Sequence, residues 1–259
     1  MIKKTLAKIY FQTIGKTATQ SNGVKLRYLF QKDATSRDLI VVFSAFPGAG
    51  MSSTYNYVNT LKETPGNKLF ILDDFGFEKR GVYYLCENGD FNIRDAVEEL
   101  ILTMTQKVRA TQTTFIGSSK GGYAALYFGF RLGATHVISG APQYFVGRYL
   151  QAESGRVKTL ESMLGDITEA KLAELDAELA TTITNKTHTP KLYMHYSTEE
   201  HTYKSHIEPL LEKLNSEQIT VTRDIANYQS HMEVRHFFPP YLKQTLAEIT
   251  THSARGGAR

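Results

Sequence analysis

Thr113-Thr114-Phe115-Ile116-Gly117-Ser118-Ser119-Lys120-Gly121-Gly122-Tyr123-Ala124-Ala125-Leu126 is the stretch on which the fold turns. A β-type run ends at Ile116, and a helical pattern starts just after Ser119. The five residues Gly117-Ser118-Ser119-Lys120-Gly121 match G-x-S-x-G. A strand that reverses sharply into a helix strains its central residue, and flanking glycines give the turn room. The central hydroxyl then stands clear at the end of a sheet, above a helix N-terminus. Gly and Ser are common, so the pentapeptide alone is weak; its strand-to-helix setting gives it weight. Two other readings compete. One is an ordinary glycine-rich turn. The other is a phosphate-binding loop, but that pattern places its lysine after the last glycine, whereas Lys120 precedes Gly121-Gly122. Ser119 is therefore the candidate nucleophile.

Outward from this stretch, β-type and helical patterns alternate. Val24–Phe30 alternates as a half-exposed strand. Leu39–Phe43 and Lys68–Leu72 are continuous apolar runs, as expected of strands buried on both faces of a parallel sheet. Thr135–Ser139, Leu192–Tyr196 and Gln218–Arg223 read as later strands. Helices are expected at Tyr55–Lys62, Ile93–Val108, from Ser119 through Leu132, Ile207–Leu214 and Pro240–Ile249. Residues 1–22 read as an irregular lead-in, and Ser253–Arg259 as an irregular tail. From Gln143 to Lys186 helical patterns dominate without a strand, so 143–186 is expected to be a helical cap inserted in one domain spanning 1–259. This alternation predicts an α/β fold, a mostly parallel sheet with helices on both faces.

Composition narrows the function. At 259 residues the chain suffices for one large α/β domain or two small ones. A net charge of +4, with no basic block or aromatic-basic motif, argues against a nucleic-acid partner. Cys86 is the sole cysteine, which excludes an intrachain disulfide and fits a cytoplasmic location. Met1-Ile2-Lys3-Lys4-Thr5-Leu6 lacks a sustained apolar core, so no signal peptide is expected. No apolar run approaches membrane-spanning length.

A serine hydroxyl needs a base within hydrogen-bond reach and a group that orients the base. In α/β-hydrolases the chain order is Ser, then Asp or Glu, then His. Downstream of Ser119, the penultimate strand is followed by Ser197-Thr198-Glu199-Glu200-His201 and the last by Asn227-Tyr228-Gln229-Ser230-His231. Both stretches lie at C-terminal strand ends, the edge where open α/β sheets bind ligands. His231 is the candidate base. Alone it would read as an exposed loop histidine. Glu200 is the preferred acid and Glu199 the alternative; Asp224 lies too close to the last strand, and Asp166 and Asp176 read as solvated cap residues. Oxyanion donors are expected at the backbone N–H of Lys120 and of Phe46 or Ala45, since Pro47 has none. The Lys120 side chain is expected in solvent. Arg80, Tyr83 and Tyr84, with Asp73 and Asp74, are candidates for lining a sugar pocket, against the equal reading that they pack a long loop. Six of the eight histidines lie between His188 and His236, but His201 and His206 are not on one helical face and no cysteine assists, so no metal site is expected.

Phe43-Ser44-Ala45-Phe46-Pro47, Tyr55-Asn56-Tyr57, Arg80-Gly81-Val82-Tyr83-Tyr84, Gly117-Ser118-Ser119-Lys120-Gly121-Gly122 and Ala141-Pro142-Gln143 together resemble a bacterial group of α/β-hydrolase-fold proteins. The group includes capsular polysaccharide O-acetyltransferases and is similar to accessory secretion-system proteins of glycan O-acetylation. The resemblance spans Leu39 to His231. It implies Ser119 as nucleophile, His231 as base, an acid at Glu199-Glu200, acetyl-CoA as co-substrate without a bound cofactor, and a polysaccharide acceptor. Some relatives carry Asp where this chain has Glu. An esterase with the same triad, or a non-catalytic glycan-binding accessory protein, are the competing readings. Acceptor and oligomeric state are not readable from the residues.

Overall fold

Strands β3 (Asp38–Phe43) and β4 (Asn67–Leu72) run through the middle of the protein because Leu39–Phe43 and Leu69–Leu72 within them are apolar and buried. In the computed structural model, which describes residues 15–48 and 50–256, they belong to an eight-stranded sheet. The other strands are β1 (Lys16–Thr19), β2 (Lys25–Gln31), β5 (Gln112–Ser118), β6 (His136–Gly140), β7 (Lys191–Ser197) and β8 (Val221–Ala226). The order is β1-β2-β4-β3-β5-β6-β7-β8; β1 and β2 are antiparallel to their neighbours and every later pair is parallel.

Successive side chains of a strand face opposite ways. Leu39, Val41 and Phe43 therefore enter one core, and Ile40 and Val42 enter another. The first core is covered by α1 (Asn92–Val108), α2 (Lys120–Arg131), α3 (Val146–Ala152), α4 (Val157–Leu164), α5 (Glu169–Thr184) and α6 (Glu208–Ser216). The second is covered by α7 (Val234–Gly256), through Phe238, Leu242 and Leu246, and by Val58 and Leu61. Cys86 is fully buried in the first core, and burial pushes its thiol up to about 12.

Several expectations shift. Residues 1–14 of the expected lead-in lie outside the described residues, while 16–19 form the edge strand β1. Tyr55–Lys62 forms turns instead of a helix, with Tyr57 at φ 60°, a conformation no helix accommodates. The last strand begins three residues later than read, because Gln218 (φ 57°) and Ile219 close the C-terminus of α6 by donating to Asn215 and Leu214. Helix α7 starts before its prolines and carries Pro239 and Pro240 inside, and its backbone stays helical through Gly256 where an irregular tail was expected. Between 143 and 186 lie α3, α4 and α5: α5 packs on α2 and α3, and α4 lies against the short turn Phe77–Lys79.

Candidate active site

Ser119 sits between β5 and α2 at φ 53° and ψ −125°, a strained conformation for a non-glycine residue. Two glycines make the turn sterically feasible. A Cβ on Gly117 would lie 2.1 Å from the Gly121 carbonyl oxygen, and one on Gly121 would lie 2.5 Å from that of Phe43. The elbow is thus pressed against both its own helix and the end of β3. Ser119 N–H donates to Gly140 of β6 at 2.7 Å, which fastens the turn to the neighbouring strand.

His231 and Glu200 reach this hydroxyl from the ends of β8 and β7. His231 Nε2 lies 2.7 Å from Ser119 Oγ, and His231 Nδ1 lies 2.5 Å from Glu200 Oε1. Glu200 is buried, and its Oε1 also accepts from Thr202 Oγ1 at 2.5 Å. Burial disfavours the Glu200 carboxylate, but the hydrogen bond and charge of His231 and the Thr202 hydroxyl more than offset it, holding its pKa below the ordinary value. An ionised Glu200 can only accept, so Nδ1 carries the ring proton and Nε2 is left to accept from Ser119. His231 is placed by a capping box: Ser230 Oγ accepts from Met232 N–H, and Glu233 Oε2 accepts from Ser230 N–H at 3.0 Å. Glu199 is exposed, and among the described residues it bonds through its N–H to Ser197 Oγ, at 3.1 Å. Asp224 turns to His195 (2.6 Å) instead.

Gln143, for which the sequence suggested no role, lies beside the hydroxyl. Its Oε1 accepts from Tyr83 O–H at 3.3 Å, which directs Nε2 to within 3.2 Å of Ser119 Oγ and 3.3 Å of His231 Nε2. Burial first, and then the nearby Tyr149, push the Tyr83 phenol well above its usual range, so it stays a donor. Only the tripeptide Ala141-Pro142-Gln143 at the end of β6, on the same sheet edge as Ser119, could have signalled Gln143. The next two residues are tied down by His206: its Nδ1 accepts from Tyr144 N–H at 3.2 Å and Phe145 N–H at 3.3 Å.

In the loop after β3 two backbone N–H groups are already engaged. Ala45 N–H donates to Asn56 Oδ1 at 2.8 Å and Ser44 N–H to the Tyr84 hydroxyl at 2.5 Å. Phe46 N–H has no partner among the described residues, and Lys120 N–H, first in α2, has no helical acceptor. The Lys120 side chain is not in solvent, as expected, but fully buried. Its Nζ pairs with Asp73 Oδ2 at 2.6 Å and lies 4.8 Å from the centre of the Tyr84 ring. Asp73 also accepts from Val82 N–H and Tyr84 N–H, so this ion pair moulds the 81–84 loop. Burial lowers the Lys120 pKa against the pull of Asp73.

That loop corrects the sugar-pocket expectation. Tyr83 and Tyr84 are both fully buried and present no ring surface to a ligand. Asp73 is occupied by Lys120, and Asp74 by Arg27. Arg80 alone of this group remains at the rim, half-buried, with Nη2 donating to the Pro47 carbonyl at 3.3 Å. Asp176, read as solvated, is buried and accepts from Gly147 N–H at 2.7 Å. Among the described residues no three His, Cys, Asp or Glu side chains converge as a metal site would require.

No protein-family model matches the chain, and no curated protein matches it in sequence. Solved structures do match. A capsule O-acetyltransferase of Neisseria meningitidis serogroup A is 22% identical with a TM-score of 0.73, covering 91% of this chain and 99% of that one. A histidine-to-alanine mutant of it in complex with CoA is 20% identical with a TM-score of 0.71 over the same shares. A glycosylation-associated protein complex from Streptococcus agalactiae is 17% identical with a TM-score of 0.72, covering 90% of this chain and 46% of that one. A fluorophosphonate-binding serine hydrolase of Staphylococcus aureus is 12% identical with a TM-score of 0.64, covering 90% and 96%. These likenesses establish an α/β-hydrolase fold.

Proposed function

We propose that this protein is a serine-dependent acyltransferase that moves acetyl from acetyl-CoA to a hydroxyl of a bacterial polysaccharide. The observation that supports the reading is the unbroken line from Ser119 Oγ through His231 to Glu200, at 2.7 and 2.5 Å. Ser119 attacks the thioester carbonyl while His231 Nε2 takes its proton. Glu200, ionised and buried, holds the imidazole in the Nδ1–H tautomer and stabilises the imidazolium. The backbone N–H groups of Lys120 and Phe46 receive the oxyanion. The thiolate of CoA leaves with the proton from His231; an acceptor hydroxyl, deprotonated by the same nitrogen, then attacks the acyl-serine, and Ser119 Oγ leaves with the proton that His231 returns, freeing the acetylated acceptor. Gln143 positions the Ser119 hydroxyl. The 143–186 segment acts as a cap at the rim, and a cytoplasmic location suits a CoA donor; among the described residues no helix is long and apolar enough to cross a membrane.

Hydrolysis of the same intermediate is the second reading, favoured by the His231 side chain remaining 14% exposed and so open to water. A fluorophosphonate probe followed by acetyl-CoA with and without oligosaccharide tests both. Labelling of wild type but not of Ser119→Ala, with glycan acetylation above the hydrolysis background, is the expected result. Labelling with hydrolysis indifferent to any glycan supports the esterase. Equal labelling of Ser119→Ala, or none of the wild type, refutes acyl chemistry at this serine and leaves a glycan-binding role.

A further inference from the structure

We propose that Arg80 and Arg156, both gathered on the ring of Phe46, form a phosphate-binding subsite beside the Ser119 site. Arg80 comes from the loop after β4 and Arg156 from the residue preceding α4, yet both guanidinium groups settle on one ring. Arg80 Cζ lies 5.2 Å from the Phe46 centroid and Arg156 Cζ 4.3 Å from it. Arg156 is also 5.1 Å from the Tyr149 ring, so two aromatic rings hold its plane. Stacking of this kind fixes a guanidinium's orientation while leaving the N–H groups along its edge free.

Arg80 spends one N–H, through Nη2, on the Pro47 carbonyl at 3.3 Å, but each guanidinium keeps a donor without a partner among the described residues. Arg80 Nε and Arg156 Nη1 are both buried from solvent and meet no acceptor, and neither arginine is in an ion pair among the described residues. The nearby carboxylates are committed elsewhere: Asp73 to Lys120 at 2.6 Å, and Glu153 to His201 at 3.3 Å. A partly desolvated cation without a counter-charge is costly, and two together repel. Both side chains are only half-buried, so an anion presented to their accessible edges would supply the missing counter-charge and cancel the repulsion, and phosphate oxygens suit such planar donors. Phe46 links this subsite to the chemistry: its ring lies 6.5 Å from Tyr83, which bonds Gln143 beside Ser119, and its backbone follows the Ala45 and Ser44 groups already engaged.

The proposal rests on the acyl-transfer reading only for its choice of ligands. Phosphate could arrive on the donor, as the phosphates of CoA, or on the acceptor, as a phosphodiester within the polymer. Calorimetric binding to full-length Ser119→Ala protein needs no turnover, so it stands or falls separately from the catalytic reading. The probes are CoA against pantetheine, and a phosphodiester-linked oligosaccharide against its phosphate-free counterpart. The phosphate-bearing member of at least one pair is expected to bind more than tenfold tighter. Arg80→Gln and Arg156→Gln should each abolish that preference, while Arg156→Lys, which keeps the charge but not the fork, retains part of it. Loss of preference in the CoA pair assigns the subsite to the donor, and in the oligosaccharide pair to the acceptor. Equal binding within both pairs, or a preference that survives both glutamine substitutions in proteins with wild-type circular dichroism, overturns it.

Discussion

Removing the titratable group at His206 should flatten the acid limb of this protein's stability. His206 is buried, and its ring stands edge-on to Tyr149, 5.5 Å between centroids. Burial, reinforced by the positive potential of His231, lowers its pKa from 6.5 to about 4, against the opposing pull of Glu200 and Glu153; His201 adds a further small lowering. In the unfolded chain the imidazole takes up a proton near pH 6.5, but the folded chain refuses it until about pH 4. Unfolding therefore binds protons in that window, and stability falls as pH falls. Above pH 6.5 the ring is neutral in both states and the linkage vanishes. At 1.36 kcal/mol for each pH unit between 6.5 and about 4, roughly 3 kcal/mol of stability is lost across that window. His206→Asn keeps an acceptor near the Nδ1 position for Tyr144 and Phe145 but cannot titrate. Urea unfolding at half-unit pH steps gives the wild-type minus variant difference, which removes common contributions such as buried His136, itself lowered to about 4. A difference that narrows by about 3 kcal/mol on acidification, as the wild type loses its advantage, is expected. Parallel curves, or a wild type that gains on the variant at low pH, would refute the reasoning.

Other expectations are simpler. Asp73→Asn strands the buried Lys120 ammonium, and denaturant melts should show a loss of about 3 kcal/mol; recovery in Asp73→Asn/Lys120→Met would confirm the cause. Glu200→Gln should lower kcat on the order of 10³-fold with the fold intact, because the imidazole loses its anionic partner, whereas Glu199→Gln should leave kcat at the wild-type level. Ser230→Ala removes the cap of the His231 turn and should cost about 1 kcal/mol in thermal melts.

What could be read beforehand was what repeats or sits at a predictable place. β3 and β4 announced themselves through the apolar runs Leu39–Phe43 and Leu69–Leu72, which strands buried on both faces favour. Ser119, Glu200 and His231 could be ordered because each follows a strand end on one edge of the sheet. The same logic could not separate Glu199 from Glu200, since a one-residue shift at a strand end is invisible without coordinates. β8 was placed early because edge position leaves only weak alternation, so Ile219 looked like strand and not like the end of α6. The Lys120–Asp73 pair joins residues 47 positions apart and leaves no periodic trace. Tyr83 and Tyr84 looked like pocket residues because aromatic composition does not reveal which way a loop folds. Ser230-His231-Met232-Glu233, by contrast, spells a capping box that could have marked the turn carrying the candidate base.

Cys86 makes the molecule its own stopwatch. Sealed at 0% exposure, with a thiol that ionises only near pH 12, it is inert toward an aromatic disulfide reagent while the interior is shut. Any yellow thiolate released under native conditions must come from moments when this region breathes. Since no second sulfhydryl exists to confuse the signal, the time course at saturating reagent reports how often the centre of the domain comes apart.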